Sequence, residues 1–329
     1  MDNILGWGMV VDKGTDEDNI IDAVLSGDME RVTFCIENNY NINEVDGLGN
    51  NALMLAISEG FLDAVPKLIK AAIDVDHANN QQETPLAWTA REGFADVVRM
   101  LLDAGADVDR PISNRETALM WSIYCLSRQL DVIKELLSEG ADVNLVYGDG
   151  TIVLAETAKL GFTEALDILI KHNADVNKMG RDENTALIEA ARSNHRECVA
   201  LLLKHGALLN HVNNKGNNAL IEAVCRGYND IVDDLIASGI DVAQVNNARE
   251  TALTLAVKML KNDLLDPEFI DKIMHALVDA GEDPEQAVTA VIAGARDRSQ
   301  TWLRFFKTEV SVINEIMEHS QSPQVAPVA

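Results

Sequence analysis

Cysteine is scarce in this chain of 329 residues. Cys35, Cys125, Cys198 and Cys225 are the only four, and none stands in a CxxC or other short ligand spacing. That pattern excludes a disulfide-stapled secreted scaffold and reads as reduced thiols. Basic residues are short as well. Lys and Arg total 27 against 53 Asp and Glu, a net charge of −26, which argues against direct nucleic-acid binding because phosphates demand a basic surface. No apolar run approaches the ~18 residues of a membrane span. Residues 1–11 lack a basic flank and carry Asp2 and two glycines, a poor secretion signal, so a cytoplasmic location is expected. Catalytic signatures are missing too: no Gly-rich phosphate loop, His-Glu-x-x-His or nucleophile elbow occurs. The expectation is no enzyme, no cofactor and no metal.

What the chain does contain is a period. Stretches beginning at Asn51, Thr84, Thr117, Ile152, Thr185, Asn218 and Thr251 each have Leu two residues on and Ala, Ser or Thr five residues on. Their starts are separated by 33, 33, 35, 33, 33 and 33 residues, and a weaker start at Asp18 precedes Asn51 by 33. A fixed period of this length is the signature of stacked supersecondary units, which have no single central core to outgrow. Hydrophobic content of 47 % is that of a folded chain.

Each unit follows one grammar. A polar finger, such as Asn79, Asn80, Gln81, Gln82 and Glu83, leads to a Thr or Asn placed to accept from the first N–H groups of a helix. That helix runs about two turns to Gly60, Gly93, Gly161, Asn194 or Gly227, residue types that suit a left-handed stop. A second, apolar helix follows and ends in Gly105-Ala106-Asp107-Val108-Asp109 or a close copy. Neither helix is stable alone at this length, so stacking on the small residues must bury the core. At the N-terminal end, Asp18 is placed to cap a short helix, and a second helix over about 29–37 should turn Val32, Phe34, Cys35 and Ile36 inward.

Thr84, Pro85, Leu86, Ala87, Trp88, Thr89 and Ala90 approach the Thr-Pro-Leu-His-x-Ala motif of ankyrin repeats, and Gly-Ala-Asp-Val-Asn endings recur. The chain resembles an ankyrin-repeat protein over about 18–284. The resemblance implies an all-α solenoid of helix-turn-helix units with finger loops, and residues 1–17 would precede the array. Two departures are plain. The motif proline survives only at Pro85. The motif His is absent in every copy, where Met54, Ala87, Met120, Ala155, Ile188, Ile221 and Thr254 stand instead.

Two insertions interrupt the period. Two extra residues fall in the turn near 126–130. The larger insertion, at 258–271, lengthens the Gly239-to-Gly281 interval to 42 residues and either extends the first helix or forms a protruding loop. Asp283, Pro284 and Glu285 then start a C-terminal helical cap over 285–319. Its last helix carries Leu303, Phe306, Val310, Ile313 and Met317 on one face, widened by Trp302, Phe305, Val312 and Ile316. A stripe that wide suits packing on the last repeat, with dimerisation as the alternative. The tail 320–329 is expected to be disordered.

Ankyrin-type stacks line their concave surface with first helices and fingers, so the resemblance implies a binding surface made of aligned rows. Counting from each start, the fifth, eighth and ninth residues share a face. The fifth row reads Leu55, Trp88, Trp121, Glu156, Glu189, Glu222 and Leu255. Trp88, Trp121 and Tyr124, with Arg91 beside them, form an aromatic section, and Glu156, Glu189 and Glu222 a charged one. The aromatics read as a binding hot spot or as packing between repeats. The glutamates read as recognition residues or as a solvated face paired with Lys159, Arg192 and Arg226.

His195, His205 and His211 fall at a helix start, a helix end and a finger, a poor arrangement for a metal. The resulting expectation is a non-catalytic adaptor, scaffold or inhibitor that grips a protein partner, one with a basic surface, on the concave face. Two alternatives stay open: an acidic mimic of nucleic acid that occupies a basic groove, and an enzyme with its site in the 258–271 insertion.

Overall fold

The computed structural model describes residues 19–125, 130–260 and 275–276. The expected segment 1–17, the cap Asp18, the turn insertion at 126–129, the insertion beyond 260, the cap 285–319 and the tail 320–329 lie outside the described residues. Two compact units divide the chain at residues 148 and 149. Among the described residues the regular structure is helical, and β structure is confined to isolated bridge residues, such as the antiparallel pair Val45 and Asn51.

The first unit holds α1 (Ile20–Leu25) and α2 (Met29–Glu37), α3 (Ala52–Ser58) and α4 (Val65–Lys70), α5 (Pro85–Glu92) and α6 (Ala95–Asp103), and α7 (Ala118–Tyr124) and α8 (Leu130–Ser138). The second holds α9 (Val153–Leu160) and α10 (Thr163–Lys171), α11 (Ala186–Arg192) and α12 (Arg196–Lys204), α13 (Ala219–Val224) and α14 (Asn229–Ala237), and α15 (Ala252–Leu260). Within the first unit α1, α3, α5 and α7 pack in series, as do α4, α6 and α8. Within the second, α9, α11, α13 and α15 form one layer, and α10, α12 and α14 the other.

Residues constant from copy to copy make the core. Leu53, Leu86, Leu119, Leu154, Leu187, Leu220 and Leu253 are all 0–2 % exposed. Ala56, Thr89, Ser122, Thr157, Ala190, Ala223 and Ala256 are fully covered and let neighbouring first helices approach closely. The three hydroxyls among them stay satisfied within their own helices: Thr89 donates to the Pro85 carbonyl, Ser122 to Leu119 and Thr157 to Val153.

From α3 onward, the starts of the first helices follow the capping grammar with two exceptions. Asn51, Thr84, Thr185, Asn218 and Thr251 each accept from the N–H three residues on. Thr117 does not. Its hydroxyl shares a hydrogen bond of 3.1 Å with the buried Tyr147 phenol instead, and burial pushes that phenol well above its usual range. Ile152 has no capping oxygen. Asn19 caps α1 by accepting from Asp22 N–H. In α2 only Val32 and Cys35 are buried; Phe34 and Ile36 are half-buried, because a helix covered on one side buries a single stripe.

The fingers repeat to the level of one dihedral. The residue two before each start has positive φ in every copy: Gly49, Gln82, Arg115, Gly150, Glu183, Gly216 and Arg249. At Gly49 and Gly216 the next finger also comes close. A Cβ on Gly49 would lie 2.9 Å from the Asn80 backbone nitrogen, and one on Gly216 2.9 Å from that of Asn247.

Candidate functional site

The fifth residue of each first helix sits one turn in, and its Cβ leans back toward the helix N-terminus. It therefore reaches the last residue of its own finger, five positions earlier. Trp88 donates its indole N–H to Glu83 at 2.9 Å, and Trp121 donates to Glu116 at 2.9 Å. In the second unit the polarity is reversed: Asn184 donates to Glu189 at 2.7 Å and Asn217 to Glu222 at 2.9 Å. The row that reads as recognition, packing or solvated face thus also holds struts between helix and finger, at Trp88, Trp121, Glu189 and Glu222. The signal was present in the sequence, as Glu precedes each Trp unit and Asn precedes two of the Glu units.

In the first unit the struts hold a stacked cation. Arg91, one turn beyond Trp88, places its guanidinium carbon 5.1 Å from the Trp88 ring centroid and 5.4 Å from that of Trp121. Glu92 lies 3.2 Å from its Nε and Glu83 4.0 Å from Nη1. Such a cation over two indoles is worth about 0.5–2 kcal/mol per ring, depending on how dry it is. Trp88 is only 9 % exposed and packs in the core, Trp121 is half-buried, and Tyr124 is 46 % exposed. The structure thus brings Trp88, Trp121 and Arg91 together as one stack, with Tyr124 as its exposed neighbour on α7.

In the second unit all three expected ion pairs form: Glu156–Lys159 at 2.9 Å, Glu189–Arg192 at 3.7 Å and Glu222–Arg226 at 2.7 Å. The glutamates are not a solvated face, however. Their side chains are 13 %, 13 % and 7 % exposed. Glu222 also accepts from Asn213 at 3.2 Å. Burial alone would raise its pKa, but the bonds from Asn217 and Arg226 outweigh that and hold the carboxyl below its ordinary range.

Side-chain bonds tie neighbouring fingers within each unit. Asn79 reaches Asn50, Asn213 reaches Asn184 and Asn246 reaches Asn217, each at 2.9–3.0 Å. His77 donates to the Gly49 carbonyl at 2.7 Å and His211 to that of Glu183 at 2.8 Å. A second ladder runs along the finger bases. The N–H groups of Asp74, Asp107, Asp142, Leu208 and Asp241 donate to the side chains of Asn43, Asp76, Asp109, Asn177 and Asn210.

Among the described residues no group of three His, Cys, Asp or Glu is placed to hold a metal ion. His195 and His205 flank α12, and His211 lies in a finger. Burial pushes the thiols of Cys125, Cys198 and Cys225 up, away from the reactive thiolate form. Among the described residues no helix is long and apolar enough to cross a membrane.

Residues 20–112, 119–213 and 154–246 match the family model of ankyrin repeats, built of three copies. No curated protein gives a significant sequence match. Among solved structures, the ankyrin repeat domain of Bcl-3, described as a unique member of the IkappaB protein family, is 27 % identical, with a TM-score of 0.58 over 65 % of this chain and 99 % of that one. The human ASB11 ankyrin repeat domain superposes with a TM-score of 0.59 at 22 % identity, over 69 % and 98 % of the two chains, a likeness of fold.

Proposed function

This chain belongs to the ankyrin-repeat family, whose domains are protein-interaction modules, and on that premise we propose that it binds a protein partner through the first-helix face of residues 1–148, as an adaptor, scaffold or inhibitor and without catalysis. The observation that carries the proposal is the Trp88–Arg91–Trp121 stack beside exposed Tyr124. Trp, Tyr and Arg contribute most to interfaces where they are rigidly held and then dried by a partner. Here the indole N–H groups are fixed by Glu83 and Glu116 and the guanidinium is fixed by the rings, so little side-chain freedom is lost on binding. In the second unit Glu189 and Glu222 serve as ion-paired struts and Glu156 pairs with Lys159, so all three have a supporting role within their own unit.

A pull-down with the intact chain, identified by mass spectrometry, tests the proposal together with Tyr124→Ala and Arg91→Ala. A specific partner should be captured by the parent chain, and each variant should weaken it by about 1–2 kcal/mol while the circular dichroism spectrum is unchanged. Equal capture by parent and both variants would remove this face from the interface.

A further inference from the structure

The residue six before each start is the finger position at Val45, Ala78, Pro111 and Val146 in the first unit, and at Met179, Val212 and Val245 in the second. None of the 80 charged residues of the chain falls there. Core packing does not account for it: Val45 is 43 % and Val146 53 % exposed, Pro111 is exposed, and Leu48, three residues along the first finger, is 66 % exposed. A lone exposed Val is ordinary, but an uncharged row exposed in five of seven fingers, and half-buried at Ala78 and Val212, is the pattern of a contact surface.

The two units differ in the charge around this row. In the first, the finger bases carry Asp74, Asp76, Asp107, Asp109 and Asp142. Asp76 and Asp109 accept the same inter-finger bond that Asn43, Asn177 and Asn210 accept elsewhere. A neutral amide therefore suffices for the structural task, and the negative charge is surplus to it. Keeping the charge has a cost: burial and the nearby charges of Asp142 and Asp107 raise the Asp109 pKa. Surplus charge kept at a cost beside exposed apolar side chains points to a cationic, partly apolar occupant.

Stacked helices repeat at about 8–10 Å. A polyproline-II segment turns once every three residues and advances about 9.3 Å per turn, so it returns the same face to each successive finger. A β-strand alternates faces every two residues, at about 6.6 Å, and does not match. We infer that the fingers of residues 41–148 dock an extended segment with an apolar side chain at every third position and Lys or Arg between. The inference rests on the reading of the chain as a protein-binding module, and it concerns the fingers rather than the stack around Arg91.

The probe is a fluorescent peptide of about twelve residues, Leu-Pro-Lys repeated, titrated against the full chain in about 0.15 M salt, with a composition-matched peptide whose leucines are adjacent as control. The periodic peptide should bind at least about fivefold more tightly than the control. Asp76→Asn with Asp109→Asn preserves the inter-finger bonds and should weaken it about fivefold and flatten its salt dependence. Val45→Ser with Val146→Ser should weaken it about fivefold with the salt dependence kept. Absent binding, equal binding of the two peptides, or binding untouched by either finger pair overturns the inference. If Tyr124→Ala abolishes peptide binding and the finger pairs do not, the fingers are excluded while the module reading stands. If the finger pairs act and Tyr124→Ala changes neither peptide nor partner binding, the helix-face reading fails and the finger inference stands.

Discussion

The indole N–H of Trp121 donates to the Glu116 carboxylate at 2.9 Å across five positions of sequence. The same two positions of the α11 unit hold Glu189 and Asn184, with donor and acceptor exchanged. A strut of this kind needs one donor and one acceptor, in either order. Trp121→Glu alone would set two carboxylates against each other and should destabilise the chain by about 1–3 kcal/mol. Adding Glu116→Asn rebuilds the α11 arrangement and should recover more than about 1 kcal/mol, although Glu116→Asn by itself is destabilising. Urea unfolding of the four proteins measures this coupling. Simple additivity would show that the two residues do not act as a pair.

Glu222 makes a pH prediction whose sign is fixed by its surroundings. Bonds from Asn217, Arg226 and Asn213 more than offset burial and depress its folded pKa below the ordinary 4.5. A depressed acid stabilises the fold above its unfolded pKa and loses that contribution as pH falls through the folded pKa. Glu222→Gln should therefore be less stable than the parent by about 1–3 kcal/mol at pH 7, because Arg226 loses its partner in a covered site. The gap should close as pH falls below about 4. Thermal melts from pH 7 to pH 3 follow it, and a constant gap would refute the assignment.

The finger dihedral offers stabilising changes. Gln82, Arg115 and Arg249 hold φ of 63°, 59° and 60° at the position that is glycine in the fingers of Gly49, Gly150 and Gly216. Left-handed backbone costs a non-glycine residue about 1 kcal/mol, which glycine relieves, less the extra freedom glycine gives the unfolded chain. Gln82→Gly and Arg249→Gly should each raise stability by up to about 1 kcal/mol, read as a higher unfolding midpoint. A lowered midpoint in both would show that their side chains contribute more than the dihedral costs.

These residues also show why the architecture could be read from sequence and the site only in part. Leu53 through Leu253 and the small residues three positions on are set by burial, a local property that repeats with the period, so counting finds them. Helix stops such as Gly93 and Asn194 follow for the same reason, since left-handed backbone selects residue type directly. The Glu189 strut escaped because attention to faces of a helix pairs residues three or four apart, whereas Asn184 lies beyond the helix in the finger. Thr117 escaped because its partner, Tyr147, belongs to the next finger, and nothing local marks a long-range competitor for a capping hydroxyl. Trp88 was ambiguous in principle: one side chain can be core and surface at once, and only its exposure separates the two.

That exposure leads to the sharpest contrast on the surface. Trp88 is 9 % exposed and bonded to Glu83, while Tyr124 is 46 % exposed. Trp88→Ala should cost about 3–5 kcal/mol of stability through the cavity it leaves and the carboxylate it strands, so any loss of binding in that variant would follow unfolding. Tyr124→Ala should cost about 1 kcal/mol or less, far below Trp88→Ala, so the chain stays folded for the test of contact. Arg91→Met lies between the two: it keeps an apolar stem between the rings and removes the cation held 5.1 and 5.4 Å from them. Tryptophan fluorescence should shift in Arg91→Met with the unfolding midpoint lowered by less than in Trp88→Ala, because cation–π attraction is weaker than core packing. An unchanged emission spectrum in Arg91→Met would mean that the stack does not persist in solution. Recognition by this face would then have to rest on Trp121 and Tyr124 alone.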